Sequence, residues 1–300
     1  MLSIDDFHPV TLEEKSMFED IYSSYPPSHS DYVFTTMICW MDYAHYRYAR
    51  VDDTIVIMTT IHGQRRFRPP IGRRNEEIFH QVLQLAKKEE VDYPLGLIER
   101  ETKEWISRNY PQIVCTPHRD YFDYVYLASD LAELKGTPYR KIRNRLNKFV
   151  NSYAYTTEHI SEENIQEVKE FLTRWCLWRD CESDMLLEYE KKAVFCAMDH
   201  FSELQLSGIA IRIDGIIEAV SVYEKMNPDT VVVHFEKGSP KYDGIYKAIN
   251  WETAKWVRKD ATFINRESDM GIPGLRHTKM SYRPHHMVEV FHVAKEHLHL

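Results

Sequence analysis

The chain has 300 residues, enough for one large domain or two small ones. Hydrophobic residues make up 43% and charged residues 28%, the balance of a globular chain with a full core. A formal charge of -8 excludes a uniformly basic nucleic-acid binder, so any phosphate contact must come from a local basic patch.

In chain order, Thr11-Leu-Glu-Glu14 is a capping box that predicts a helix to about Ser24, stopped by Tyr25-Pro26-Pro27. Ser28 to Asp31 offers caps for the apolar helix FTTMICWMDYAHY. YARVDDTIVIMTT reads as a hairpin turning at Asp52-Asp53. RRFRPPIG is a short strand or loop. NEEIFHQVLQLAKKEE places Ile78, Val82, Leu85 and Ala86 at helical spacing. YPLGLIE predicts a strand, ETKEWISRNY a helix and FDYVYLA a strand.

After Ser129 the pattern restarts. TPYRKIRNRLNKFV predicts a helix and SYAYTTEHI a strand. SEENIQEVKEFLTRWCLWRD predicts a long amphipathic helix capped by Ser161. MLLEYEKKAVFCAMDHF is a further helix, and LSGIAIRIDGIIEAVSVYEKM a hairpin turning at Asp214-Gly215. TVVVHFEKG is a strand, GIYKAINWETAKWVRK a helix, ATFIN a strand, GIPGLRHTKM a short helix and MVEVFHV the last strand. The two halves share an element order. The plan is α+β, with mixed, mainly antiparallel sheets and domains spanning 1–130 and 131–300.

Five cysteines without a CxxC pair predict neither a disulfide framework nor structural zinc, which fits a reducing cytoplasm. Cys176, Cys181 and Cys196 read as small core residues. His285 and His286 are adjacent on an extended segment and should face opposite ways, and His292, His297 and His299 read as tail residues. No metal site is expected. The first residues lack the apolar core of a signal peptide, and no run approaches a membrane span.

Three stretches carry chemistry. Lys135 to Asn151 holds six basic residues and no acid, and Tyr139, Ile142, Leu146 and Phe149 form its buried stripe. Arg140, Lys141, Arg143, Asn144 and Lys148 therefore lie on a cationic face, either a solvated surface or a phosphate-binding one. HFEKGSPKYDGIYKAINWE leads from His234 and Glu236 through Gly238, Pro240 and Gly244 into a helix, whose amino end suits an anion. NRESDMGIPGLRHTKMSYRP packs Asn265, Arg266, Glu267 and Asp269 ahead of Arg276 and Lys279. Pro273 opens its helix, and Arg276 and Lys279 share one face. Glu267 or Asp269 suits an ammonium or a proton, and Lys279 a phosphate or developing oxyanion. The charges are expected to surround a hollow, and an internal salt-bridge cluster is the other reading of them.

Taken together, DYVYLASDLAELKGTPYRKIRNRLNKF, HFEKG...YDGIYKAINWETAK and NRESDMGIPGLRHTKMSYRP resemble the family that shares the cytoplasmic C-terminal portion of phosphatidylglycerol lysyltransferase. The resemblance covers most of the chain. It implies two tandem GNAT folds and kinship with Fem-type aminoacyltransferases. It places Tyr242 and Gly244 at the donor phosphate loop. Asn265, Arg266, Glu267 and Asp269 would line the pocket with Glu236, and Arg276 and Lys279 would face the tRNA 3′ phosphate. The basic helix would receive tRNA backbone or an anionic acceptor. The expected activity is acyl-group transfer, with aminoacyl-tRNA as donor and a lipid or small-molecule amine or hydroxyl as acceptor. No cofactor is required, and the place of action is the cytoplasm or the membrane surface. Acetyl-CoA-dependent N-acetylation is the rival activity, and a non-catalytic RNA- or lipid-binding module is the other. The oligomeric state is not legible.

Overall fold

A computed structural model of the protein describes residues 1–298 and leaves His299, one of the tail histidines, outside the described residues. The chain divides into two units, Met1–Phe122 with the segment from Val288, and Asp123–Met287. The division therefore falls before 130, and the chain end returns to the first unit. Strand pairing is the reason. Asp123–Leu127 bonds to Phe263–Asn265, whereas Val290–Val293 runs between Leu95–Glu99 and Cys115–Pro117.

The strands are β1 (His8–Pro9), β2 (Arg47–Val51), β3 (Thr54–Ile61), β4 (Gln64–Phe67), β5 (Leu95–Glu99), β6 (Cys115–Pro117), β7 (Asp123–Leu127), β8 (Tyr155–His159), β9 (Ser207–Ile213), β10 (Ile216–Asn227), β11 (Thr230–Gly238), β12 (Phe263–Asn265), β13 (His286–Val288) and β14 (Val290–Val293). The helices are α1 (Lys15–Ser24), α2 (Phe34–Cys39), α3 (Met41–Ala44), α4 (Glu76–Lys88), α5 (Arg100–Asn109), α6 (Ala128–Glu133), α7 (Arg140–Ser152), α8 (Ile165–Arg179), α9 (Met185–Asp199), α10 (Ile245–Val257) and α11 (Pro273–Ser281).

The first sheet has the order β1-β2-β3-β4-β5-β14-β6, with β4 and β5 parallel. Its core is led by Phe7, Phe67, Phe79, Val82 and Ile98. The Thr11 amide donates to Glu14 at 2.7 Å, so the capping box opens one tight turn before α1. A break at Trp40, whose carbonyl starts a new turn by accepting from Tyr43 and Ala44, splits the expected long helix into α2 and α3.

The second sheet has the order β13-β7-β12-β11-β10-β9-β8, with β11 and β12 parallel. Asp214 and Gly215 both have positive φ, as the tight β9–β10 turn requires. Asn164, not Ser161, precedes α8; its side-chain oxygen accepts from the Ser161 amide at 2.9 Å. The expected last strand MVEVFHV is divided at Glu289 between the two sheets. On α7 the stripe Tyr139, Ile142, Leu146 and Phe149 is buried against α10 and the sheet, as its spacing demands.

Candidate active site

β11 and β12 pair only through Thr230–Phe263, Val231–Ile264 and Val232–Asn265. Past Asn265 the chain stays with β7, since Arg266 N–H donates to the Tyr124 carbonyl and Tyr124 N–H to that of Glu267. β11 meanwhile continues to Gly238, so the two parallel strands part. The parting is where the charged side chains meet.

A bulge sets the first of them. Tyr223 pairs with Val233 and Val222 with Phe235, which leaves His234 as the extra residue of β11. A bulge re-aims a side chain that regular pleating would fix. His234 Nε2 lies 2.8 Å from Glu224 and Nδ1 3.0 Å from Glu267. Carboxylates only accept, so both ring nitrogens carry protons unless a carboxyl does. Burial works against the charge, but the two carboxylates outweigh it and hold the imidazole near pKa 9. Burial raises the Glu267 carboxyl above its ordinary range. His234 is only 3% exposed at its side chain, whereas Glu267 keeps 29% and is the member open to a substrate.

Asn265 shapes the turn. Its amide donates to Asp123 at 2.8 Å, and its oxygen accepts from the Glu267 amide at 2.7 Å. That bond steadies Glu267 at φ 57°, a conformation unfavourable for most side chains.

The remaining charges of the turn bind one another. Asp269 is fully buried and grips Arg276 through two bonds, at 2.8 and 2.9 Å, while accepting from Tyr124 and the Gly271 amide. Burial opposes its charge, yet Arg276 and these donors hold the carboxyl far below the usual range. Lys279 spends its three N–H bonds on the carbonyls of Arg266, Glu267 and Ser268. Burial lowers its ammonium to about 8. Arg266 pairs with Glu236, which also accepts from Asn250 at 3.1 Å. Arg276 and Lys279 do share a face, but that face clamps the turn. Asp269, Arg276 and Lys279 thus form the internal bonded cluster that is the other reading of these charges. Cavities of about 370 and 350 Å³ open elsewhere on this unit, and neither has a wall residue from Asn265 to Lys279.

Two groups keep unused capacity. Arg266 Nη1 is buried and has no hydrogen-bond partner. Lys247, in the first turn of α10, lies 4.4 Å over the Tyr282 ring, and Arg266 lies 4.9 Å from the same ring. Lys247 has no acid partner among the described residues. Burial, then the Arg266 guanidinium, lowers its ammonium to about 8. His234, Glu224 and Lys247 were not singled out as site residues in the sequence. The usable signal was a histidine inside a run of buried strand residues, TVVVHFE.

The loop before α10 is closed from within. Asp243 bonds Arg145 at 3.0 Å and Lys148 at 2.9 Å. A Cβ on Gly244 would stand 2.8 Å from the Arg145 carbonyl, so α7 lies directly against the amino end of α10. Tyr242 packs edge-on to Tyr153. On α7, Arg143 donates to the carbonyls of Leu134 and Gly136, whereas Arg140, Lys141 and Asn144 are exposed. His285 and His286 meet Nδ1 to Nδ1 at 2.9 Å instead of diverging, because the segment bends there. No group of three or more metal-ligating side chains occurs among the described residues, nor a helix long and apolar enough to cross a membrane.

Known proteins share this architecture. A conserved protein of unknown function from Bacteroides thetaiotaomicron is 28% identical, with a TM-score of 0.88 over 96% of this chain and 98% of that one. The C-terminal domain of a putative lysylphosphatidylglycerol synthetase from Agrobacterium fabrum is 12% identical, with a TM-score of 0.66 over 95% and 94%. FemX gives a TM-score of 0.58 at 10% identity over 97% and 98%, and a tandem GNAT protein gives 0.51 at 10% identity over 96% and 98%. Each unit therefore has a GNAT-like fold. An uncharacterized protein of Mycoplasmoides gallisepticum is 23% identical over 62% of this chain, and the match spans 59% of that relative's length. The model of the phosphatidylglycerol lysyltransferase C-terminal family matches residues 22–294, and the chain belongs to that family.

Proposed function

We propose that the protein transfers an aminoacyl group from aminoacyl-tRNA to a hydroxyl or amine acceptor, a lipid head group or a small molecule. The observation that carries this reading is the unfilled cationic corner of the second unit. Lys247 lacks an acid partner and Arg266 Nη1 lacks a hydrogen-bond partner, and both cations lie over the Tyr282 ring. Glu267, next to Arg266 in the chain, belongs to the Glu224–His234–Glu267 set. An activated ester needs little else. Lys247 and Arg266 stabilise the oxyanion that forms when the acceptor attacks the ester carbonyl. Glu267 takes the acceptor's proton, with His234 fixing its position from behind. The carbonyl–ribose bond then breaks, and the ribose oxygen leaves with that proton.

Asp243 favours this donor over acetyl-CoA. It sets a carboxylate, already paired with two bases, where a pyrophosphate would approach α10. The exposed Arg140 and Lys141 suit a polyanion's backbone instead. The donor is tested by incubating the protein with a tRNA pool charged with labelled amino acids and following label into lipid extracts and small-molecule fractions. Transfer of label is expected. Thermal stabilisation by acetyl-CoA, with no binding of charged tRNA, would reject the donor assignment.

A further inference from the structure

A second charged residue sits on a bulge, and it has no partner. Ile217 pairs with Arg212 and Ala219 with Ile211, so Glu218 is the extra residue of β10. It is only 5% exposed, and among the described residues its carboxylate makes no hydrogen bond or ion pair. A carboxylate of a largely buried residue that no base bonds, and that opens onto a cavity, is placed to receive a cation.

Glu218 lines a cavity of about 350 Å³ with Phe171, Trp175 and Trp178 of α8. Arg174 and the segment Ser239–Lys241 complete the wall. The Ser239 amide donates to the Glu218 carbonyl at 2.8 Å, which draws Lys241 to the rim. This is not the site described above. Glu236 reaches Asn250 of α10 on one face of the sheet, while Lys237, next along, reaches Trp175 of α8 and Glu190 of α9 on the other. The cavity lies on the α8 face.

We propose that this cavity binds a small zwitterion: an ammonium joined by a short chain to a phosphate or carboxylate. The ammonium sits on Glu218 between the indole and phenyl walls, where aromatic faces also attract it. The anionic end meets Lys241 and Arg174, both exposed at the mouth. A neutral planar ligand would fill the aromatic space but leave the floor charge uncompensated. A ligand with only positive charge would meet two cations on entry. A zwitterion alone satisfies both ends.

Calorimetry on the full chain tests this with phosphoethanolamine and with propyl phosphate, which has the anion but no ammonium. Phosphoethanolamine should bind at least about tenfold more tightly, and Glu218→Gln should erase that preference. Lys241→Ala should weaken phosphoethanolamine several-fold. Equal binding of the two ligands, an unaltered preference in Glu218→Gln, or no saturable binding of phosphoethanolamine would overturn the proposal. If Glu218→Gln fails to fold, Trp178→Ala decides, because that side chain is 56% exposed. Several-fold weaker binding is then expected, and unchanged binding counts against the site. Vesicles of phosphatidylethanolamine in phosphatidylglycerol, against phosphatidylglycerol alone, identify the source. Glu218-dependent retention on the first assigns a lipid head group, and binding of the free compound without such retention assigns a soluble amine. Retention that ignores Glu218 contradicts both.

Discussion

His234 and Glu218 are both charged residues placed by a one-residue bulge in neighbouring strands of one sheet, and their surroundings are opposite. His234 has an acid on each ring nitrogen, inside a cluster where nearly every donor meets an acceptor. Among the described residues Glu218 is bonded to no base, and it faces a cavity with Arg174 and Lys241 at its mouth. The density of charge in a sequence thus says little about where a ligand goes. Dense charge is used up internally, and the residues proposed above for a partner are those the network omits: Lys247 over the Tyr282 ring and Glu218 beside α8.

The comparison breaks most sharply at Lys247. Lys247→Ala should lower transfer by about 10²–10³-fold, the scale of a lost oxyanion donor, while the melting temperature stays near wild type. A large loss of stability with normal transfer would move Lys247 into the structural set. Its folded pKa near 8 adds a pH limb, with transfer falling as pH rises through that value.

The next effect concerns stability against pH. The folded pKa of His234, near 9, lies above its ordinary 6.5. Its contribution is therefore complete below about pH 6.5 and is lost as pH rises through 9, roughly 3 kcal/mol in all. Lys247 and Lys279, lowered from 10.5 to about 8, act in the opposite sense between about pH 8 and 10.5. The difference between wild type and His234→Gln, followed by denaturation from pH 6 to 10, isolates the histidine. That difference should shrink toward high pH, and a constant one would mean the histidine is neutral in the fold.

Lys279 gives a smaller effect and a different one from that expected of a catalytic lysine. Lys279→Ala frees three carbonyls and should cost about 2 kcal/mol, seen as a lower melting temperature. Asp243→Ala should do the reverse to binding. It releases Arg145 and Lys148, so affinity for tRNA should rise several-fold and its salt dependence steepen. Unchanged binding would remove α7 from any nucleic-acid surface.

Much of the fold was legible because it rests on local signals: the buried stripe of α7, the Asp214-Gly215 turn, and Pro273 opening α11. The domain boundary was not, because it depends on Asp123–Leu127 choosing β12 and on the chain end returning to β5. The charges of the turn at 265–279 were legible, and they do meet one another. Its internal pairing was invisible, since Asp269 finds Tyr124 and Glu267 finds His234 across long sequence separations. Bulges escape a period-two reading for the same reason: a strand shows its extra residue only against its partner.

In the proposed mechanism, chemistry in the second unit passes through Glu267, the open member of the Glu224–His234–Glu267 set. Transfer of labelled aminoacyl groups by Glu267→Gln, measured beside its binding of charged tRNA, tests it directly. The expected result is transfer reduced by about 10²–10⁴-fold with tRNA affinity retained. Transfer at the wild-type rate by a folded Glu267→Gln protein would contradict it.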